Sequence, residues 1–170
     1  MADVEFQDFS LEVKAAIDSE TIAWLHTWAA EIEAQAARNC AMDGEVGRQL
    51  KGSYAYKVND SKGEAQVGTP MEAGYWEEFG TGEYAAKGNG RKGWWIYIEG
   101  QTSGKGGMSY ATREEAEQMA AYIRQVHKKT AIVTNGRRPA HTLENAFATV
   151  APKAQADLEE KLKARMGSSE

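Results

Sequence analysis

From Ser53 the hydrophobic period of this chain changes from about 3.6 to 2, and the change commits its first part to a long helix followed by a hairpin. Ile22, Leu25, Ala29, Ile32 and Ala36 recur at alternating steps of three and four, which lines one face of a helix. Ser10 is a good N-cap for an Ala/Glu-rich segment. The pair Asp18-Ser19 favours caps over helix interiors, so a short helix followed by a longer one stays open. The helical pattern breaks after Cys40 at Asp43-Gly44, and Gly47 and Gly52 mark further irregular structure. From Ser53, Tyr54, Tyr56 and Val58 alternate with Ala55 and Lys57. Asn59 to Gly63 then carry turn chemistry before Ala65 and Val67 resume the alternation, which predicts a hairpin.

Downstream, Met71 to Phe79 places Tyr75, Trp76 and Phe79 at helical spacing and ends at Gly80-Thr81-Gly82, enough for one or two turns. Trp94 to Ile98 has the aromatic and β-branched content of a strand. Thr112 and Glu115 form a capping box for a helix running to about His127, with Met119, Ile123 and Val126 as its buried stripe. Ala131 to Thr134 is a short strand closed by Asn135-Gly136. Pro139 precedes a helix containing Leu143, Ala146, Phe147 and Val150, which Pro152 kinks or restarts. The expectation is an α+β fold, a long N-terminal helix packed on a small, mainly antiparallel sheet of about four strands, with further helices including a C-terminal one. One domain spans 1–170. Residues 1–9 and 167–170 are flexible ends, 83–109 holds Gly-rich loops around one strand, and 112–129 is a helical insertion.

Composition narrows the function. One cysteine in the chain, Cys40, allows no internal disulfide, which fits a reducing compartment. The N-terminus lacks the basic start and apolar run of a secretory signal, and no stretch approaches the ~18 apolar residues of a membrane span, so no membrane association is expected. The formal net charge of -5 disfavours wholesale binding to phosphate backbones. Local basic islands nevertheless stand at Lys87, Arg91 and Lys92 and at Arg137 and Arg138.

Chemistry-bearing patterns are weak. Gly88, Gly90 and Gly93 spell a dinucleotide fingerprint, but a strand follows them where the phosphate site needs a helix. His26, His127 and His141 share no metal-ligand spacing with each other or with Cys40. No Gly-x-Ser-x-Gly elbow occurs. No catalytic residue, cofactor or metal is therefore expected. Glu77 and Glu78 point about 100° apart on a helix and suit a solvated face or an inter-subunit salt bridge. Trp94 and Trp95 project to opposite sides of a strand, so one of them is expected under a helix or a neighbouring subunit.

Three segments carry a resemblance. Gly47-Arg48-Gln49-Leu50-Lys51-Gly52-Ser53, Gly74-Tyr75-Trp76-Glu77-Glu78-Phe79-Gly80-Thr81-Gly82, and Thr134-Asn135-Gly136-Arg137-Arg138-Pro139-Ala140 leading into Leu143-Glu144-Asn145-Ala146-Phe147 resemble the tail-completion, or neck, proteins of long-tailed bacteriophages. The order and rough placement match along most of the chain. The chain departs from that pattern in lacking a Pro-x-x-Thr-Gly lead after Asp43 and in carrying the 112–129 insertion. The resemblance implies a non-enzymatic virion protein, made in the host cytoplasm, that joins tail to head as a ring, with six subunits expected. Its partners would be copies of itself, tail tube or terminator proteins, and head-connector proteins. By the same resemblance Glu77, Phe79, Gly80 and Gly82 form a signature turn, and Pro139 with the helix after it docks. Arg91, Lys92, Trp94, Arg137 and Arg138 complete the expected interface, its cations able to touch DNA nonspecifically in the channel. A tail terminator or other connector component, and a small nucleic-acid-binding regulator, are the alternatives.

Overall fold

The structure, a computed structural model, describes residues 10–98 and 107–167. Its class is α+β, with five α-helices and four strands among the described residues. The strands form two separate antiparallel pairs in place of one four-stranded sheet. The chain divides into two compact units, one drawn from Met1–Met71 and Thr142–Glu170, the other Glu72–His141.

In the first unit α1 (Ser10–Asn39) runs without interruption at Asp18-Ser19, because each of those residues costs a helix interior only a few tenths of a kcal/mol. It packs along α5 (Thr142–Gly167). Small side chains close the seam: Ala29 and Ala36 on α1, and Ala146 and Ala154 on α5, are buried, with Val150 between the latter two. Polar pins hold the two helices antiparallel. The Trp24 indole Nε1 donates to the Ala154 carbonyl at 2.9 Å, Trp28 Nε1 donates to Asp157 Oδ2 at 2.9 Å, and Asn39 Nδ2 reaches the Thr142 carbonyl at 3.4 Å. The indole N–H and the neighbouring Lys161 hold the Asp157 carboxyl below its ordinary value. Pro152 lies inside α5 without dividing it.

The segment expected to be irregular after Asp43 is instead a helix, α2 (Gly44–Ser53). Gly47 is there for space: a Cβ would collide with the Met42 backbone. Leu50, fully buried, anchors α2, and Ser53 Oγ joins the Leu50 carbonyl at 2.8 Å to Thr69 Oγ1 at 2.6 Å. The hairpin forms as expected, β1 (Ala55–Asn59) against β2 (Glu64–Gly68), pairing Tyr56 with Val67 and Val58 with Ala65. The helix α1 covers this hairpin, and Tyr56 meets His26 edge to face at 5.8 Å.

The second unit holds α3 (Glu72–Phe79), β3 (Trp95–Ile98), α4 (Arg113–His127) and β4 (Ala131–Thr134). Here β3 and β4 pair antiparallel, Tyr97 opposite Ile132 and Ile98 opposite Ala131. The capping box at Thr112 and Glu115 starts α4 as expected. Its buried face differs from the expected stripe. Ala116 and Ala120 face inward, whereas Met119 and Val126 are exposed and Ile123 is half-buried. Small residues win the inner face because α4 lies close on the two-stranded sheet, where Ala131 is also buried. The larger side chains rotate to its flank, next to exposed Tyr122.

Candidate functional site

The single residues expected at the interface all lie in the 72–141 unit, where the turn after α3 folds against the turn after β4, while the helix expected to dock after Pro139 is α5 of the other unit. The Thr81 N–H donates to the Arg137 carbonyl at 2.8 Å, and the Glu83 N–H donates to the Asn135 carbonyl at 2.9 Å. The Arg137 N–H returns to Thr81 Oγ1 at 2.9 Å, and the Ala140 N–H reaches the Glu77 carbonyl at 2.8 Å. Asn135 Nδ2 adds a bond to Glu83 Oε2 at 3.0 Å. Two segments more than fifty residues apart in sequence, |i−j| 52 and 56 for these side-chain bonds, thus form one hydrogen-bonded turn pair.

Glycine is required at its centre. Gly82 has φ +61, and a Cβ there would strike the Asn135 carbonyl oxygen and the Trp95 ring. Gly80, at φ +71, would place a Cβ 2.7 Å from the Arg137 oxygen and 2.9 Å from Pro139 Cδ. These positions combine a backbone conformation that disfavours side chains with a close approach that excludes them.

The carboxylates at 77 and 78 are buried, not solvated as the sequence suggested. Glu77, at 0% exposure, pairs with Arg137 Nη2 at 2.8 Å within the chain, so its partner is internal and no neighbouring subunit is needed. Burying a carboxylate is costly, and removing such a partner costs several kcal/mol. Glu77, Gly80 and Gly82 therefore build the turn from inside and present no surface. Half-buried Pro139, packed on Gly80, belongs to the same scaffold.

What the turn pair presents is cations laid on aromatic rings. Lys87 Nζ sits 4.4 Å from the Phe79 ring centroid and 5.3 Å from that of Tyr75. Arg138 lies 5.0 Å over Tyr84, and Arg91 4.9 Å over Trp95. Arg91 is also tied down, donating from Nε to Ser109 Oγ at 2.8 Å and from Nη2 to the Gly107 carbonyl. Lys92 is exposed beside it. Trp94, one of the two tryptophans of which one was expected beneath a helix or a neighbour, bridges Tyr110 through backbone hydrogen bonds of 2.9 and 2.7 Å and carries Arg113 at 5.6 Å from its ring. The glycine run 88–93 leads into β3, as its sequence context indicated, and so opens no helix toward a phosphate.

Thr81 and Asn135, whose bonds lock the turns together, and Lys87 are absent from the residues expected at the interface. The Asn135-Gly136 turn dipeptide was the available signal for the first two; Gly136 takes φ +134, and a Cβ there would meet the Thr81 carbonyl. Of the Gly-rich loops expected over 83–109, residues 99–106 lie outside the described residues, as do residues 1–9 and 168–170 of the expected ends. No helix among the described residues is long and apolar enough to cross a membrane. A scan against protein-family models, a search of curated proteins and a search of solved structures each give no match to this chain.

Proposed function

We propose that this chain is a structural protein of a long-tailed bacteriophage particle, completing the tail and joining it to the head by docking, with no bond made or broken. One observation carries the reading. The two most specific segments of the resemblance, 74–82 and 134–140, interlock through reciprocal hydrogen bonds around glycines that tolerate no side chain, as parts of one structural motif would. Docking also has surfaces to use. Met119, Tyr122 and Val126 on α4, Tyr97 and Ile132 on the paired strands, and Phe147 on α5 leave large apolar side chains in water, and such surfaces commonly mark protein contacts.

In this reading the chain is a ring subunit, six to the ring. It meets its own copies, a tail tube or terminator protein, and a head-connector protein, in the virion and in the host cytoplasm during assembly. Ring closure requires a heterologous contact, one patch meeting a different patch on the next copy. Electron microscopy of particles assembled without the chain tests the function. Filled heads and complete, unjoined tails of normal length support it; overlong tails would indicate a terminator, and normal joined particles would refute both.

A further inference from the structure

We propose that the exposed cations of the turn pair, Lys87, Lys92 and Arg138, form a binding site for the phosphodiester backbone of DNA. The charge of the chain is unevenly distributed. Residues 72–141 hold ten Lys and Arg against eight Glu and no Asp, whereas the remaining residues hold seventeen acids against ten Lys and Arg. Two of the eight, Glu77 and Glu78, are buried, so the surface of this unit is more positive than its formal count. A chain that repels polyanions as a whole therefore carries a local surface that attracts them.

The cations belong to one patch. The backbone of Phe79 accepts from Ala86 N–H at 2.8 Å, which brings the Lys87 loop back over α3, and Gly82, two residues before Tyr84, abuts Trp95 and Gly136. Lys87 and Arg138 thus flank a single pair of turns, and Lys92 follows Arg91, whose guanidinium lies over the Trp95 ring that Gly82 abuts. Glu83 is an exposed acid among them, and Asn135 donates to it.

Geometry favours a nucleic-acid backbone over a protein partner. Protein interfaces bury aromatic faces and are depleted in charge at their centres. Here cations already lie over one face of the rings of Tyr75, Phe79, Tyr84 and Trp95, so the patch offers charge outward, although Tyr75 and Tyr84 stay exposed. The ring faces that carry these cations are closed to base stacking, the usual grip on single strands. Contact is then to phosphates and indifferent to sequence. Arg137 and Arg91 stand apart from the binding set, the first spent on Glu77 and the second on Ser109 and Gly107.

Three phosphate contacts predict a slope of log K against log salt of about −3 for duplex, and a roughly 40-fold loss of affinity between 50 and 200 mM salt. The test is fluorescence anisotropy of the purified full chain with a labelled random-sequence duplex across that range. Light scattering of the chain alone follows self-association in parallel. The triple variant K87Q/K92Q/R138Q should lose at least tenfold in affinity with its slope near zero. K57Q/K62Q/K153Q, which changes net charge equally elsewhere, should bind as the unaltered chain does. Lys92 is exposed and lies over no aromatic ring among the described residues, so K92Q alone should fold as the unaltered chain does and reduce the slope by about one. Equal loss in both triples, a slope shallower than −1 for the unaltered chain, or loss of self-association with no change in DNA affinity would overturn the site. The binding is a property of the purified chain, so its failure leaves the head-joining reading standing, and the reverse also holds.

Discussion

Replacing Gly82 with alanine should damage the turn pair far more than the same change at Gly88, although both glycines have similar positive φ, +61 and +68. A left-handed conformation costs a non-glycine residue about 1–2 kcal/mol, and both variants bear that cost. At Gly88 nothing lies within 4 Å of the new methyl, so the cost ends there. At Gly82 the methyl overlaps the Asn135 carbonyl and the Trp95 ring and stands 2.7 Å from Gly136 Cα, so the strand-end turn must move away. That movement breaks the Thr81 and Glu83 amide bonds to Arg137 and Asn135. Each lost bond costs about 1 kcal/mol, bringing the total to about 3–4 kcal/mol. Native-state hydrogen exchange at the Thr81, Glu83 and Arg137 amides measures this locally. A difference of about 2 kcal/mol between the variants corresponds to roughly 30-fold less protection at those amides in Gly82→Ala than in Gly88→Ala. Equal protection in the two would refute the close-packed turn.

Two further outcomes follow from paired side chains. Arg137→Met should destabilise the 72–141 unit by about 2 kcal/mol, because it leaves the Glu77 carboxylate buried without its guanidinium while the half-exposed arginine tempers the loss. Adding Glu77→Gln should recover part of that in urea denaturation. In the other unit, donation from the Trp28 indole is the main cause of the lowered Asp157 carboxyl, with Lys161 second. Its contribution to stability is present above the ordinary value of 3.8 and is lost as pH falls through the lower folded value. Carboxyl NMR should place the Asp157 midpoint below 3.8 and show it rising toward 3.8 in Trp28→Phe.

Local signals were legible where chemistry acts over a few residues. The hairpin at 55–68, the capping box at Thr112 and the strand at Ala131–Thr134 all form where turn dipeptides, alternation and cap residues point. Sequence reasoning failed where tertiary contact overrides local preference. Gly47 looks like a helix breaker, yet it sits in α2 because the Met42 backbone leaves no room for a side chain. The apolar stripe of α4 looks like core, yet alanines occupy the inner face because the sheet lies too near for Met119 or Val126. Of the candidate site, the segments 74–82 and 134–140 stand out in the sequence, but which of their residues are buried scaffold does not. Burial of Glu77 depends on an arginine sixty positions away, and no local pattern announces such a pair.

Joining in vitro is the most direct test of the whole account. Purified chain is added to separated heads and tails from particles assembled without it, and infectious titre is counted. Titre should rise with added protein and saturate at a fixed, small number of copies per particle. A titre that stays at background, or that is restored equally by an unrelated acidic protein, would contradict the claim that this chain works by joining the two.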